Sequence, residues 1–183
     1  MAKVVSFTNK KGGVGKTTTV VNMAAYCAEY GKKMLIIDLD SQGNATTGLG
    51  FSKSALKKSV YNVLIGEEKA SQNILPTQLP LLDIMPANVD LSGAEVELVY
   101  KRNRDKILKT ALEEIKDRYD YIFIDCPPSL GPLTINAWVA SDSLFIAFQS
   151  EYYALEGVSQ LMNTIAIVKL RRNPALIIDG VVI

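Results

Sequence analysis

One junction constrains this chain more than any other. The apolar run Val4-Val5-Ser6-Phe7 gives way to Asn9-Lys10-Lys11-Gly12-Gly13-Val14-Gly15-Lys16-Thr17-Thr18-Thr19, and an amphipathic stretch follows. In that stretch Val20, Met23, Ala24, Cys27 and Ala28 recur at helical spacing, with Gly31 placed to cap it. A strand, a glycine loop and a helix in that order form a cradle for phosphate. The glycines let backbone N–H groups turn inward, and the helix adds the positive end of its dipole. Lys16 is placed to reach the β- and γ-phosphates of a nucleotide, and the Thr17 hydroxyl to ligate Mg²⁺. Gly12, Gly13, Val14, Gly15 and Thr18 complete the loop's backbone wall. The usual spacing G-x-x-x-x-G-K-[ST] fails at its first position, where Lys10 stands, and a second lysine, Lys11, precedes the glycine pair. Lys11 reads either as a solvated loop lysine or as a second phosphate-directed cation.

The rest of the chain repeats the alternation. Further apolar runs are 34–37, 81–85, 121–124, 144–148 and 176–183, several of them continuous, as strands covered on both faces are. Helical stripes lie between them at Ile107, Leu108, Ala111, Leu112, Ile115 and at Leu155, Val158, Leu161, Met162, Ile165, Val168. The expected class is α/β: a mostly parallel sheet with helices on both faces, of the P-loop nucleoside-triphosphatase type. A length of 183 residues suits a single nucleotide-binding domain over 1–183. The segment from Gly43 to Pro80 is the least regular. The chain closes on the apolar run Val181-Val182-Ile183, which reads as the N-terminal portion of a longer fold, truncated at its C-terminal side.

Two strand ends carry acids. One is Asp38-Leu39-Asp40-Ser41-Gln42-Gly43-Asn44; the other, after Tyr121 to Ile124, is Asp125-Cys126-Pro127-Pro128-Ser129-Leu130-Gly131. Ligands in open α/β sheets lie outside the carboxyl ends of the strands, so both acids are expected to face the glycine loop. Asp125 has the Walker B form and would hold Mg²⁺ through water. Asp40 is a candidate for positioning the attacking water and a possible metal ligand, and Asp38 is its competitor for that role.

Composition removes other chemistries. The chain has no histidine, which excludes Ser-His-Asp triads and histidine metal sites. Cys27 and Cys126 match no zinc or redox spacing, and with no signal peptide they suggest a reducing, cytoplasmic setting. Twenty basic against nineteen acidic residues leave a net charge of +1, so any nucleic-acid binding must come from a local patch. No apolar run approaches the ~20 residues of a membrane span, and no membrane partner is expected.

The loop Lys11-Gly12-Gly13-Val14-Gly15-Lys16-Thr17-Thr18 resembles the deviant Walker A motif of the ParA/MinD superfamily. The segment 38–44 resembles that family's switch I, with Ser41 where proline is usual, and 125–131 resembles its Walker B and switch II. The stretches Leu91-Ser92-Gly93-Ala94-Glu95-Val96-Glu97-Leu98 and Glu151-Tyr152-Tyr153-Ala154-Leu155-Glu156-Gly157 are similar to the chromosomal Soj/ParA branch. The resemblance implies an ATPase that uses ATP and Mg²⁺ and dimerises face to face around two nucleotides. Lys11 would be the signature lysine that reaches the partner subunit's phosphates. It also implies non-specific duplex DNA binding by the ATP-bound homodimer, stimulation by a ParB-type protein, a nucleoid-associated location, and chromosome or plasmid segregation. Most of the DNA surface would lie beyond Ile183.

Other readings compete. A MinD-like switch on membranes would need a C-terminal amphipathic helix, and none is visible before Ile183. An ATP-dependent ligase of the dethiobiotin synthetase type shares the deviant loop. An iron–sulfur reductase is disfavoured because Cys27 falls in a helical core stripe. The basic clusters Lys101, Arg102, Arg104, Lys106, Lys109 and Lys169, Arg171, Arg172 read first as solvated helix faces and second as DNA contacts. Trp138, Tyr152 and Tyr153 read as packing or interface residues before base-stacking platforms.

Overall fold

The structure, a computed structural model, describes residues 1–148 and 154–182, with backbone alone for 154–156. The apolar runs form one sheet because their backbone polar groups can be satisfied only by pairing once the side chains are buried. In chain order the strands are β1 (Lys3–Thr8), β2 (Met34–Asp38), β3 (Leu75–Pro76), β4 (Leu82–Met85), β5 (Tyr121–Asp125), β6 (Ser143–Ala147) and β7 (Ile177–Val182). They lie in the order β3-β4-β2-β5-β1-β6-β7. Among the described residues every pairing is parallel except β3 with β4. The mostly parallel α/β sheet expected from the alternation is therefore present.

Alternation along the central strands builds two cores. Val5, Phe7, Met34, Ile36 and Phe123 pack on one face with Val20, Ala24 and Ala28 of α1 (Lys16–Glu29). Val4, Leu35, Ile37, Ile122, Ile124 and Leu144 pack on the other. That second core also takes α4 (Leu91–Val99), α5 (Ile107–Leu112), α6 (Pro132–Ala140) and α7 (Ala154–Arg171) through Leu98, Leu108, Trp138 and Leu161. Short helices α2 (Asn44–Gly48) and α3 (Val60–Leu64) fill the irregular stretch after β2.

Several local expectations change. The helix at 107 ends at Leu112, and Ile115 is buried in the turn that follows. The basic cluster at 101–109 does not lie on a helix face. Lys101 to Lys106 form a turn, with Asn103 at φ 55°, and only Lys109 is helical. The turn forms because Arg104 and Lys101 donate back to the carbonyls of Val99 and Ile65, and Asn136 of α6 holds the Arg104 carbonyl. Met162 is exposed rather than part of α7's core stripe. Trp138 is fully buried, as a packing residue is. Glu151, Tyr152 and Tyr153 of the stretch 151–157 lie outside the described residues. Among the described residues no helix is long and apolar enough to cross a membrane.

Candidate functional site: a phosphate loop facing two strand-end acids

The site sits where β1, β2 and β5 end side by side. The register pairs Phe7 with Asp125 and Asp38 with Asp125, so the acids at the ends of β2 and β5 are neighbours next to the loop that leaves β1. Continuous apolar strands push their first polar residues to this rim, where the sheet stops being covered.

The loop is shaped from within. Gly15 caps α1 at φ 86° and Gly13 sits at φ 73°, a left-handed backbone that other residues adopt only with strain. Asn9 anchors the loop's start: its amide donates to the Ala147 carbonyl of β6 at 2.6 Å, and its oxygen accepts the Lys11 N–H at 3.0 Å. Lys16 folds back under the loop, buried, and its ammonium donates to the Lys11 carbonyl at 3.0 Å. Burial lowers the Lys16 pKa from its ordinary value, against the opposing pull of Asp125, Cys126 and Asp40. A buried cation held by a backbone carbonyl is a setting that favours an arriving anion.

Thr17 Oγ1 donates to Asp125 Oδ2 at 2.7 Å. The other carboxylate oxygen of Asp125 is buried and has no hydrogen-bond partner among the described residues. Burial and then the nearby Asp38 push the Asp125 carboxyl up to about 7. Two charges crowd one buried spot, and a divalent cation would relieve both. Among the described residues no three acid or sulfur side chains gather as a metal cage. The donor set instead fits Mg²⁺ bound mainly by oxygens of phosphate and water, with Thr17 as protein ligand and Asp125 behind it.

The two acids of switch I separate clearly. Asp38 is fully buried and accepts the N–H and hydroxyl of Thr46 at 2.8 and 2.7 Å and the Asp40 N–H at 3.2 Å. Burial raises its carboxyl to about 6. Asp40 instead lines an open cleft of about 650 Å³, along with Gly12, Gly13, Lys16, Thr17, Thr18 and Pro128. Its Oδ1 accepts the Gln42 N–H at 2.9 Å, an arrangement that orients the carboxylate from its own turn.

The structure therefore brings together Gly12, Gly13, Gly15, Lys16, Thr17, Thr18 and Asp40 at one cleft, with Asp125 buried behind Thr17. Val14 turns its side chain into the protein and is buried. Lys11 is exposed beyond the cleft's lining, so within one chain it does not join the group. Sequence reasoning assigned no role to Asn9 or Thr46. Asn9's position just before the glycines is a signal for an anchor; Thr46 has none, since its contact with Asp38 exists only in three dimensions.

Comparison with known proteins agrees with this geometry. The AAA domain family model matches residues 2–178. The chain is 52% identical to the sporulation initiation inhibitor protein Soj of Bacillus subtilis, over all of this chain and 72% of Soj. It is 46% identical to the chromosome partitioning protein ParA of Myxococcus xanthus, over all of this chain and 65% of that protein. Its fold matches cobyrinic acid a,c-diamide synthase of Mycobacterium smegmatis, solved with ADP and magnesium, at a TM-score of 0.95 and 40% identity. That match covers 99% of this chain and 74% of the other. A glycine loop with buried Lys16, a Thr17–Asp125 pair and a separate Asp40, on a chain this similar to Soj and ParA, leads to one assignment: the chain belongs to the Soj/ParA family of chromosome-partitioning ATPases.

Proposed function

We propose that this protein binds Mg-ATP in the cleft between the glycine loop and Asp40 and hydrolyses it. The observation that carries the reading is the Thr17–Asp125 hydrogen bond with an unpartnered, buried oxygen on Asp125 beside a buried Lys16. Backbone N–H groups of 12–17 and the α1 terminus would hold the β-phosphate, and Lys16 would bridge β- and γ-oxygens. Mg²⁺, when bound, neutralises charge developing on the transferred phosphoryl group. Thr17 would ligate it and Asp125 would hold its water. Asp40, on the open side of the cleft, would orient the attacking water. Lys11 is exposed and points the reading toward a second subunit: it would reach the partner's phosphates in an ATP-dependent face-to-face homodimer.

On this reading the ATP-bound dimer binds duplex DNA without sequence preference, a ParB-type protein stimulates hydrolysis, and the cycle segregates chromosomes or plasmids at the nucleoid. Identity to Soj and ParA supports it. A second reading, an ATP-dependent synthase acting on a small-molecule acid, is favoured by the likeness to the diamide synthase. DNA-dependent behaviour separates the two. The direct test is calorimetric titration of Mg-ATP into wild type and Lys16→Ala. Loss of binding in the variant is expected; unchanged affinity would remove the phosphate-loop assignment.

A further inference from the structure

We propose that Thr46 is a positioning residue for hydrolysis: its hydroxyl locks the Asp40–Gly43 turn in place by joining Asp38 to the backbone after β4. The inference rests on the reading of Asp40 given above.

The geometry is a clamp with one carboxylate at its centre. Asp38 Oδ2 accepts both the N–H and the hydroxyl of Thr46, while Asp38 Oδ1 accepts the Asp40 N–H. One side chain therefore holds both ends of the segment from Asp40 to Thr46. The Thr46 hydroxyl is used in both directions, because it also accepts the Ala87 N–H at 2.9 Å. That ties α2 to the backbone just past β4, an element separate from the loop it steadies. Thr46, Asp38 and Ala87 are all fully buried, so water cannot replace these bonds.

Between the clamped ends the turn has little freedom. Gly43 donates to the Asp40 carbonyl at 2.8 Å, and Gln42 donates to the Asp40 carboxylate. Lys53 holds the Gln42 carbonyl at 2.7 Å from outside. Gly43 is at φ 63°, and a Cβ there would meet Lys53 Cδ at 3.1 Å. The bonds that aim the Asp40 carboxylate run along a segment whose far end is fixed by Thr46. A carboxylate that must place a water in line with a phosphoryl group is sensitive to shifts near 1 Å, which cost roughly 100-fold in rate. Asp38 is sealed from the cleft and acts through this segment.

Thr46→Val keeps the shape and removes the hydroxyl; Thr46→Ser keeps the hydroxyl. Two readouts apply. In the protein without nucleotide, amide hydrogen exchange of residues 40–46 is expected to quicken at least ~10-fold in Thr46→Val and to stay near wild type in Thr46→Ser. In Mg-ATP hydrolysis, kcat of Thr46→Val is expected to fall roughly 10- to 100-fold with KM within about threefold, and Thr46→Ser to restore it. Should Thr46→Val fail to fold, Asp38→Asn serves. It sets an amide group against the Asp40 N–H and is expected to lower kcat in the same pattern. Unchanged exchange and unchanged kcat in either folded variant overturn the proposal. So does a loss that Thr46→Ser shares. If Asp40→Ala itself leaves turnover intact, the failure belongs to the reading of Asp40 and not to the clamp.

Discussion

Raising the pH from 5 to 7.5 without nucleotide or metal is expected to destabilise this protein. Asp38 and Asp125 occupy neighbouring buried strand ends, and their carboxyls are pushed up to about 6 and about 7 from an ordinary 3.8. The folded state therefore holds protons that the unfolded chain has released between about pH 4 and pH 7. For acids raised in this way, stability is present at low pH and lost as pH climbs through the folded-state values. Each tenfold weakening of a carboxylic acid by the fold costs ~1.4 kcal/mol when it ionises; above pH 5 that leaves about one such step for Asp38 and about two for Asp125, a ceiling of ~4 kcal/mol if the two acids titrated independently. They do not, because each carboxyl is raised partly by neighbouring acids. A loss of about 2–4 kcal/mol is the expected magnitude. The window is unusually clean because the chain has no histidine to titrate within it. Urea unfolding followed by circular dichroism at pH 5, 6, 7 and 7.5 measures the slope. Adding Mg-ADP at pH 7.5 is expected to recover the loss, since cation and Lys16 contacts favour the ionised acids. A stability that is flat, or that rises across this window, refutes the claim that burial sets these carboxyls.

Two further outcomes follow from the same geometry. Lys11→Ala is expected to leave ADP affinity of the single chain within about twofold and to abolish the ATP-dependent dimer, because an exposed lysine outside the cleft adds little to its own nucleotide; light scattering with a non-hydrolysable analogue reads this, and a persisting dimer returns Lys11 to a solvated loop residue. Duplex DNA is expected to bind residues 1–183 far more weakly than a chain carrying the further segment present in its longer relatives, because Lys101 and Arg104 are spent on backbone carbonyls; anisotropy across a salt series, with a slope of about 0.9 per phosphate contact, decides it, and equal affinities with equal slopes place the DNA surface within this chain.

The phosphate loop was legible because its letters fall at a strand–helix junction, where only glycines and a short list of side chains suit the chemistry. The sheet was legible because buried parallel strands read as uninterrupted apolar runs. What was not legible depended on contacts between distant residues. Asp38 and Asp40 are alike as letters; Thr46 separates them by drawing Asp38 inward and leaving Asp40 on the cleft. The basic run at 101–109 looks helical beside its apolar neighbours, yet Asn103 and the Asn136–Arg104 bond hold most of it in a turn. β3 is two residues long, includes Pro76 and sits at the sheet edge, so it leaves no period to detect. Val14 belongs to the loop by sequence, but its apolar side chain is buried, which leaves only its backbone to the cleft side of the loop.

Above all, we propose that Asp40 and not Asp38 orients the water that attacks a nucleotide which Lys16 and Thr17 would hold. Mg-ATP affinity and single-turnover hydrolysis measured together on Asp40→Ala test this most directly. Affinity is expected to stay within about threefold of wild type while the hydrolysis rate falls by roughly 100-fold or more, because the carboxylate acts on water rather than on the ground-state nucleotide. Normal turnover per bound ATP would contradict the assignment, whatever happened to affinity.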